Sequence, residues 1–293
     1  MNEYSTLSKL RTFLDLGSAD ITDDTQLKNF LINSSRAIDR YTRRTFYPYR
    51  KQGTNVLKYD LPAGQEFRFQ HDVLEVHGLS DMNGASEINE NAYWLKTGDD
   101  WNLTPYDRLV INDSSGSTFS FSATTQQAVH VDAVTGYHEN YGEAWVNSGG
   151  SLTDALGAAI TLASVSASAA TNSKGLSPRF SQGQIWRLGT GASEEFAYVQ
   201  DTTDSGNVRL LRGINGTSAV EHAASTQVYV WEVEPDIEYS AKELAAFMYL
   251  KAVNPHTTRA AFPQMGMIET PNTWPEITID RLSRYKKHRI YSL

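Results

Sequence analysis

The chain has 293 residues, with 26 Lys/Arg, 34 Asp/Glu, six tryptophans and no cysteine. At 40% hydrophobic and 11% aromatic it is too apolar to stay disordered, and it cannot build a disulfide framework or a thiolate-ligated zinc or iron–sulfur centre. No stretch approaches the ~18 consecutive apolar residues of a membrane span, and the opening MNEYSTLSKL lacks the basic start and apolar core of a signal peptide, so a soluble protein of a reducing cytoplasm is expected.

The helical signals come first. Leu7, Leu10, Phe13 and Leu14 recur at helix spacing after Thr6, an N-cap candidate, with Gly17 as a stop. A second helix is expected from Asp23, whose carboxylate can cap while Gln26 reaches back. Its apolar face is Leu27, Phe30, Leu31, Ile38 and Tyr41, and Pro48 disfavours helix at Tyr47. Its end is basic and aromatic: Arg40, Arg43, Arg44, Tyr47, Tyr49 and Arg50 form a candidate interaction segment. Such a mix can bind nucleic-acid phosphates and bases, or an acidic protein surface, or be the solvated flank of a helix whose aromatics face the core.

From about residue 52 the period changes to two. NVLKYDL (55–61), EFRFQ (66–70), AYWLK (92–96), DRLVI (107–111), TFSFSA (118–123) and AVHVDAVTGY (128–137) are expected strands, separated by Gly, Pro, Asn and Asp turns. Gly149-Gly150 reads as a hinge. ITLASVSA (160–167), QIWRL (184–188), EEFAYVQ (194–200), NVRLLRG (207–213) and TQVYVWEV (226–233) are a second set of strands. Helix returns at Pro235 and stops at Asn254-Pro255; residues 255–272 read as a loop. A last helix opens at Pro275 and carries the basic run RLSRYKKHRI (281–290).

The fold class expected is therefore α+β: a helical bundle formed by both chain ends, split by a large two-part antiparallel β insertion. The segments are 1–51 with 236–293 (helical), 52–147 (first β insertion) and 148–235 (a second, small β-barrel-like module). Charge follows the same division. Residues 1–59 carry +4, 60–145 carry −11, 146–236 carry −4 and 237–293 carry +3, within a net −8. Such asymmetry bears on partners and solubility.

Catalytic patterns are absent from the sequence. There is no P-loop, HExxH, GxSxG or EF-hand loop. Gly189-Thr-Gly191 reads as a hairpin turn, His71 and His77 lack a third ligand in register, and Asn215-Gly-Thr217 reads as a tight turn. Glu194-Glu195 and Asp99-Asp100 are paired carboxylates in turn settings. No catalytic residue, metal or cofactor is expected.

A family resemblance rests on four segments. TLSKLRTFLDL (6–16) followed by DDTQLKNFLINSSRAIDRYTRRTF (23–46) resembles the start of tailed-bacteriophage head–tail connector proteins, the head-completion adaptors below the portal. AVHVDAVTGYHENYGEAW (128–145) is similar to a strand, Gly-Tyr-His and Trp pattern of longer connectors. RGINGTSAVEHAASTQVYV (212–230) resembles a β module recurrent in phage structural proteins, and RLSRYKKHRI resembles the family's basic tail. The chain departs from the compact members, which are much shorter and nearly all-helical.

The resemblance implies a virion structural protein of the head–tail junction, assembled in the host cytoplasm. It implies a homo-oligomeric ring, typically of twelve subunits, between the portal protein and a tail or tail-terminator (stopper) protein. DNA would pass through its channel without sequence-specific binding. Portal docking would fall to Arg281, Arg284, Tyr285, Lys286, Lys287 and Arg289, and truncation after Asp280 is expected to spare the fold. A different reading, a carbohydrate- or receptor-binding tail component, rests on Trp94, Trp101, Trp145 and Trp186 as exposed-looking aromatics in a β middle.

Overall fold

The computed structural model describes the chain except residues 1, 17–21, 99–102, 167–169, 176, 203–205, 254–258, 263–265, 270–273 and 288–293; of 113, 259–262 and 266–269 only the backbone is described. The elements in order are α1 (Leu7–Phe13), α2 (Asp24–Thr42), β1 (Tyr49–Lys51), β2 (Leu57–Tyr59), β3 (Glu66–Asp81), β4 (Ser86–Ile88), β5 (Tyr93–Thr97), β6 (Tyr106–Ile111) and β7 (Val129–Thr135). They continue as α3 (Tyr141–Ala144), β8 (Trp145–Ser151), β9 (Leu162–Ser164), β10 (Ile185–Leu188), β11 (Glu195–Asp201), β12 (Asn207–Leu211), β13 (Gln227–Trp231), α4 (Pro235–Val253), β14 (Arg259–Phe262), β15 (Gly266–Glu269) and α5 (Glu276–Ser283).

This is not a helical bundle interrupted by an insertion. The chain is mostly β: two antiparallel sheets of seven and six strands carry the body, with five helices among the described residues. The period-two segments occupy most of the length, and they supply three of the five buried apolar clusters. Helices α1, α2, α4 and α5 pack on one another as an accessory layer.

In the first sheet β1 and β2 pair with β7, β7 with β3, β3 with β4 and β6, and β6 with β5. Its core is Tyr59, Phe67, Phe69, Leu109, Ile111, Val129 and Val131. Burying each large side chain contributes roughly 1.5–3 kcal/mol. β3 is longer than the expected EFRFQ strand because three register shifts let it bend and serve two partners in succession. The expected strand at 118–123 does not form. Asp81 accepts from Ser120 N–H at 2.9 Å, and Asn83 accepts from Ser122 and Ala123 N–H at 3.1 and 3.2 Å. Side chains there satisfy donors that a neighbouring strand would otherwise take.

The second sheet runs β8-β13-β10-β11-β12-β9, with Trp186, Leu188, Val199, Leu210 and Val228 inside. Its two outer strands meet through a bridge between Leu152 and Val165. Gly149 and Gly150, expected as a hinge, lie within β8, and a Cβ on Gly150 would sit 2.9 Å from Phe180. A third cluster joins the sheets: Leu74 and Val134 of the first meet Trp145, Phe196 and Trp231 of the second.

The helix ends follow local chemistry. Thr6 caps α1 by accepting from Lys9 N–H at 3.3 Å. Asp23 makes no capping bond; its carboxylate instead accepts from the Tyr249 hydroxyl at 2.7 Å, tying α2 to α4. The α1 stop expected at Gly17 lies outside the described residues. α2 ends at Thr42, before Pro48, because Arg43 turns left-handed at φ +58°. α5 ends at Ser283, so the basic run expected as helix mostly follows it. Within 255–272, expected as loop, β14 pairs antiparallel with β15. No helix among the described residues is long and apolar enough to cross a membrane.

Candidate functional site

The two basic segments meet. α2 delivers Arg43 and Arg44 at its left-handed end, and the segment after α5 delivers Lys287. Together with Asp39, Gln70, His71, Asp72, Thr135 and Gly136 they line one open pocket of about 250 Å³. Asp72, on β3, pairs with Arg44 at 3.2 Å and with Lys287 at 3.0 Å. The Lys287 N–H donates to the Thr42 carbonyl at 2.8 Å, so the C-terminal segment is strapped to the end of α2. Arg44 also lies 4.3 Å from the Tyr137 ring centroid. His71 is held below the ordinary histidine range by burial, and by the charges of Lys51 and Lys287.

One carboxylate thus neutralises part of two cations, and three others of the two segments face solvent. Arg40, Arg43 and Arg284 are exposed. Such a surface can receive carboxylate or phosphate oxygens. Arg281 is not free: it reaches Glu243 and Ser240 at 3.2 Å and lies 4.6 Å from the Tyr239 centroid. Lys286 covers Tyr41 at 5.1 Å. Tyr285 is core: it meets Phe46 and Tyr137 edge-on at 5.7 and 5.6 Å. Arg289 lies outside the described residues. Because Leu282 and Tyr285 are both buried in the helical cluster, truncation after Asp280 removes two core side chains and should lower stability rather than spare the fold.

The first basic segment also divides. Tyr47 packs between two apolar clusters with the Arg36 guanidinium 5.1 Å from its centroid, and Lys51 covers Tyr49 at 4.4 Å. Arg50 is buried and paired with Asp132 at 3.0 Å and Glu194 at 3.4 Å. Asp39 pairs with Arg36 at 2.8 Å and accepts from the Tyr4 hydroxyl; burial nevertheless pushes its carboxyl up to about 6.

Glu195, read from sequence only as half of a carboxylate pair in a turn, opens β11 and organises the second sheet. Its fully buried carboxylate takes a two-pronged ion pair from Arg212, with both contacts at 2.6 Å. Gly213 N–H and Val220 N–H donate to it at 3.0 Å, and His222 Nε2 lies at 3.1 Å. Burial raises the carboxyl, but bonds from His222, Arg212 and Val220 outweigh it and bring Glu195 down to about 2. The RGINGTSAVEH stretch is therefore one loop wrapped around one carboxylate. At Gly216, φ is +83° and a Cβ would fall 2.0 Å from the Arg50 carbonyl oxygen, so the loop tip touches β1.

A larger cavity, about 550 Å³, lies among the N-terminal segment, α4 and the second sheet. Of the cations that line it, Lys9 and Lys174 pair with Glu238 and Glu232 and Lys242 lies against the Phe13 and Tyr239 rings; none of the described docking candidates lines it. Of the four tryptophans proposed as exposed, Trp94 is 52% exposed, Trp145 and Trp186 are buried, and Trp101 lies outside the described residues. Among the described residues no group of three or more His, Asp or Glu is placed to hold a metal ion. Asp72 is what sequence reasoning missed; it lies 215 residues from Lys287, and no local signal marks that distance. No protein-family model matches the chain, and neither the curated proteins nor the solved structures include a significant match.

Proposed function

We propose that the protein is a structural adaptor that self-assembles and docks on a portal-type partner at a phage head–tail junction. The reading is for a mostly β scaffold, with the chain ends as its docking surface. What supports it is the convergence at one pocket of cations from both chain ends, with Arg40, Arg43 and Arg284 left facing solvent. Exposed, partly neutralised guanidinium groups steer a partner electrostatically and pair with carboxylates on arrival. A ring needs a heterologous contact that closes.

Negative-stain microscopy of the chain with and without a portal protein tests the reading. Rings in either sample support it, and a persistent monomer in both overturns it. The triple charge reversal Arg40→Glu, Arg43→Glu and Arg284→Glu tests the surface. All three side chains are exposed, so the fold should stand while portal association falls at least tenfold at low salt. Unchanged association removes these residues from the docking role.

A further inference from the structure

Residues 60–145 carry fourteen acidic side chains and three basic ones, Arg68, Lys96 and Arg108. The fold brings those three into one row. In the first sheet Arg68 of β3 is directly opposite Arg108 of β6, and Arg108 is directly opposite Lys96 of β5. The inward faces of the same strands carry Phe67, Leu109 and Leu95, so by the period-two alternation the three cations share the outer face. Adjacent strands are ~4.8 Å apart, so the row spans roughly 10 Å.

Like charges directly opposite one another destabilise a sheet. Glu66 and Asp107 offset only the central member, reaching Arg108 at 3.4 and 3.3 Å. Arg68 and Lys96 are exposed, with no ion pair among the described residues. The next row on that face is Glu66, Val110 and Trp94, and Trp94 is 52% exposed. On this open strand surface the tryptophan has Val110 directly opposite, Lys96 two positions along its own strand and Arg108 on the diagonal. Protein interfaces centre their aromatic anchors in patches depleted of charge. A ring flanked by cations suits an aromatic base, with the neighbouring cations on the phosphates.

We propose that this outer face of β3, β6 and β5 binds a single strand of nucleic acid without sequence preference. Arg68, Arg108 and Lys96 contact consecutive phosphates, and Trp94 stacks on an unpaired base. The surrounding acid excess repels a polyanion at longer range, which keeps the affinity modest and the contact short. The inference goes beyond the adaptor reading and does not rest on it.

Fluorescence anisotropy of a labelled oligothymidylate of about a dozen nucleotides, titrated with the full chain, tests the site. Three phosphate contacts predict that log K falls against log salt with a slope of about −2. Arg68→Gln with Lys96→Gln should weaken binding at least tenfold and flatten the slope to about −0.7. The melting temperature of this variant should not fall, because two like-charge oppositions are removed. Trp94→Ala should cost about tenfold, and Trp94→Phe should recover most of it.

No anisotropy change up to about 100 μM protein at low salt, where phosphate contacts are strongest, overturns the proposal. So does binding that is indifferent to the double substitution. A duplex of equal length bound as tightly, with Trp94→Ala silent, overturns the stacking role and with it the single-strand site. Equal competition by a poly-glutamate peptide overturns the nucleic-acid assignment in favour of an acidic protein. Ring formation by the same variants is scored separately, so loss of this site leaves the adaptor reading standing.

Discussion

Glu195→Gln is the substitution with the largest consequence for the second sheet. The change keeps the shape of the side chain and removes its charge. It leaves the Arg212 guanidinium buried, with contacts to backbone carbonyls of Gly157, Ile160 and Val220 but no counter-charge. Breaking one side of a buried ion pair costs about 3–5 kcal/mol. The folded carboxyl, at about 2 against an ordinary 4.5, gives a second measure: the gap corresponds to about 3 kcal/mol at neutral pH. A depressed carboxyl contributes stability that is present above its unfolded value and lost as pH falls toward its folded one. The wild-type advantage should therefore hold from neutral pH to about 5, halve by about pH 3 and nearly vanish by about pH 2. Urea unfolding followed by tryptophan fluorescence, on both proteins across that range, measures it. A loss below about 1 kcal/mol at pH 7, or stability curves that stay parallel down to pH 2, would refute the assignment of Glu195 as the charge that holds the RGINGTSAVEH loop.

Three further outcomes follow from the geometry. Tyr285→Ala should lower stability by about 3 kcal/mol or more, since it removes an aromatic from a buried cluster; calorimetric unfolding checks this, and a loss near zero would make the C-terminal segment a surface strap only. Gly216→Ala should destabilise more than an ordinary surface change and speed amide exchange at Arg50, whose N–H donates to the Asn215 carbonyl at 2.8 Å; unchanged exchange there would contradict the contact. The Asp39 carboxyl should titrate near pH 6 by carbon-detected NMR. As a raised carboxyl it contributes stability below its unfolded value that is lost as pH rises toward 6, and Asp39→Asn should abolish that slope; titration near 4 would contradict its burial.

Much of the strand content was legible because a half-buried strand writes itself as alternation. DRLVI carries the apolar, β-branched run of a strand and alternates in burial, with Leu109 and Ile111 inside and Arg108 and Val110 facing outward. The failures have local causes. TFSFSA alternates equally well, but Asp81 and Asn83, some forty residues earlier, take its N–H groups, and periodicity carries no information about such a partner. Fold class failed for a different reason. The helices at the two ends were strong signals and were weighted as the frame, whereas the larger buried clusters belong to the sheets.

Charge was legible as a sum and misleading as a map. The counts separated basic ends from an acidic middle, but folding partly reverses both. At the ends, Asp72 and Glu243 absorb Arg44, Lys287 and Arg281, while Arg40, Arg43 and Arg284 stay exposed. In the middle, three cations scattered over forty-one positions align across three strands, because Arg68, Arg108 and Lys96 occupy one register. A net −11 therefore contains the chain's one cross-strand row of cations found among the described residues. Binding surfaces are set by register and by paired charge, and neither can be read from a running total.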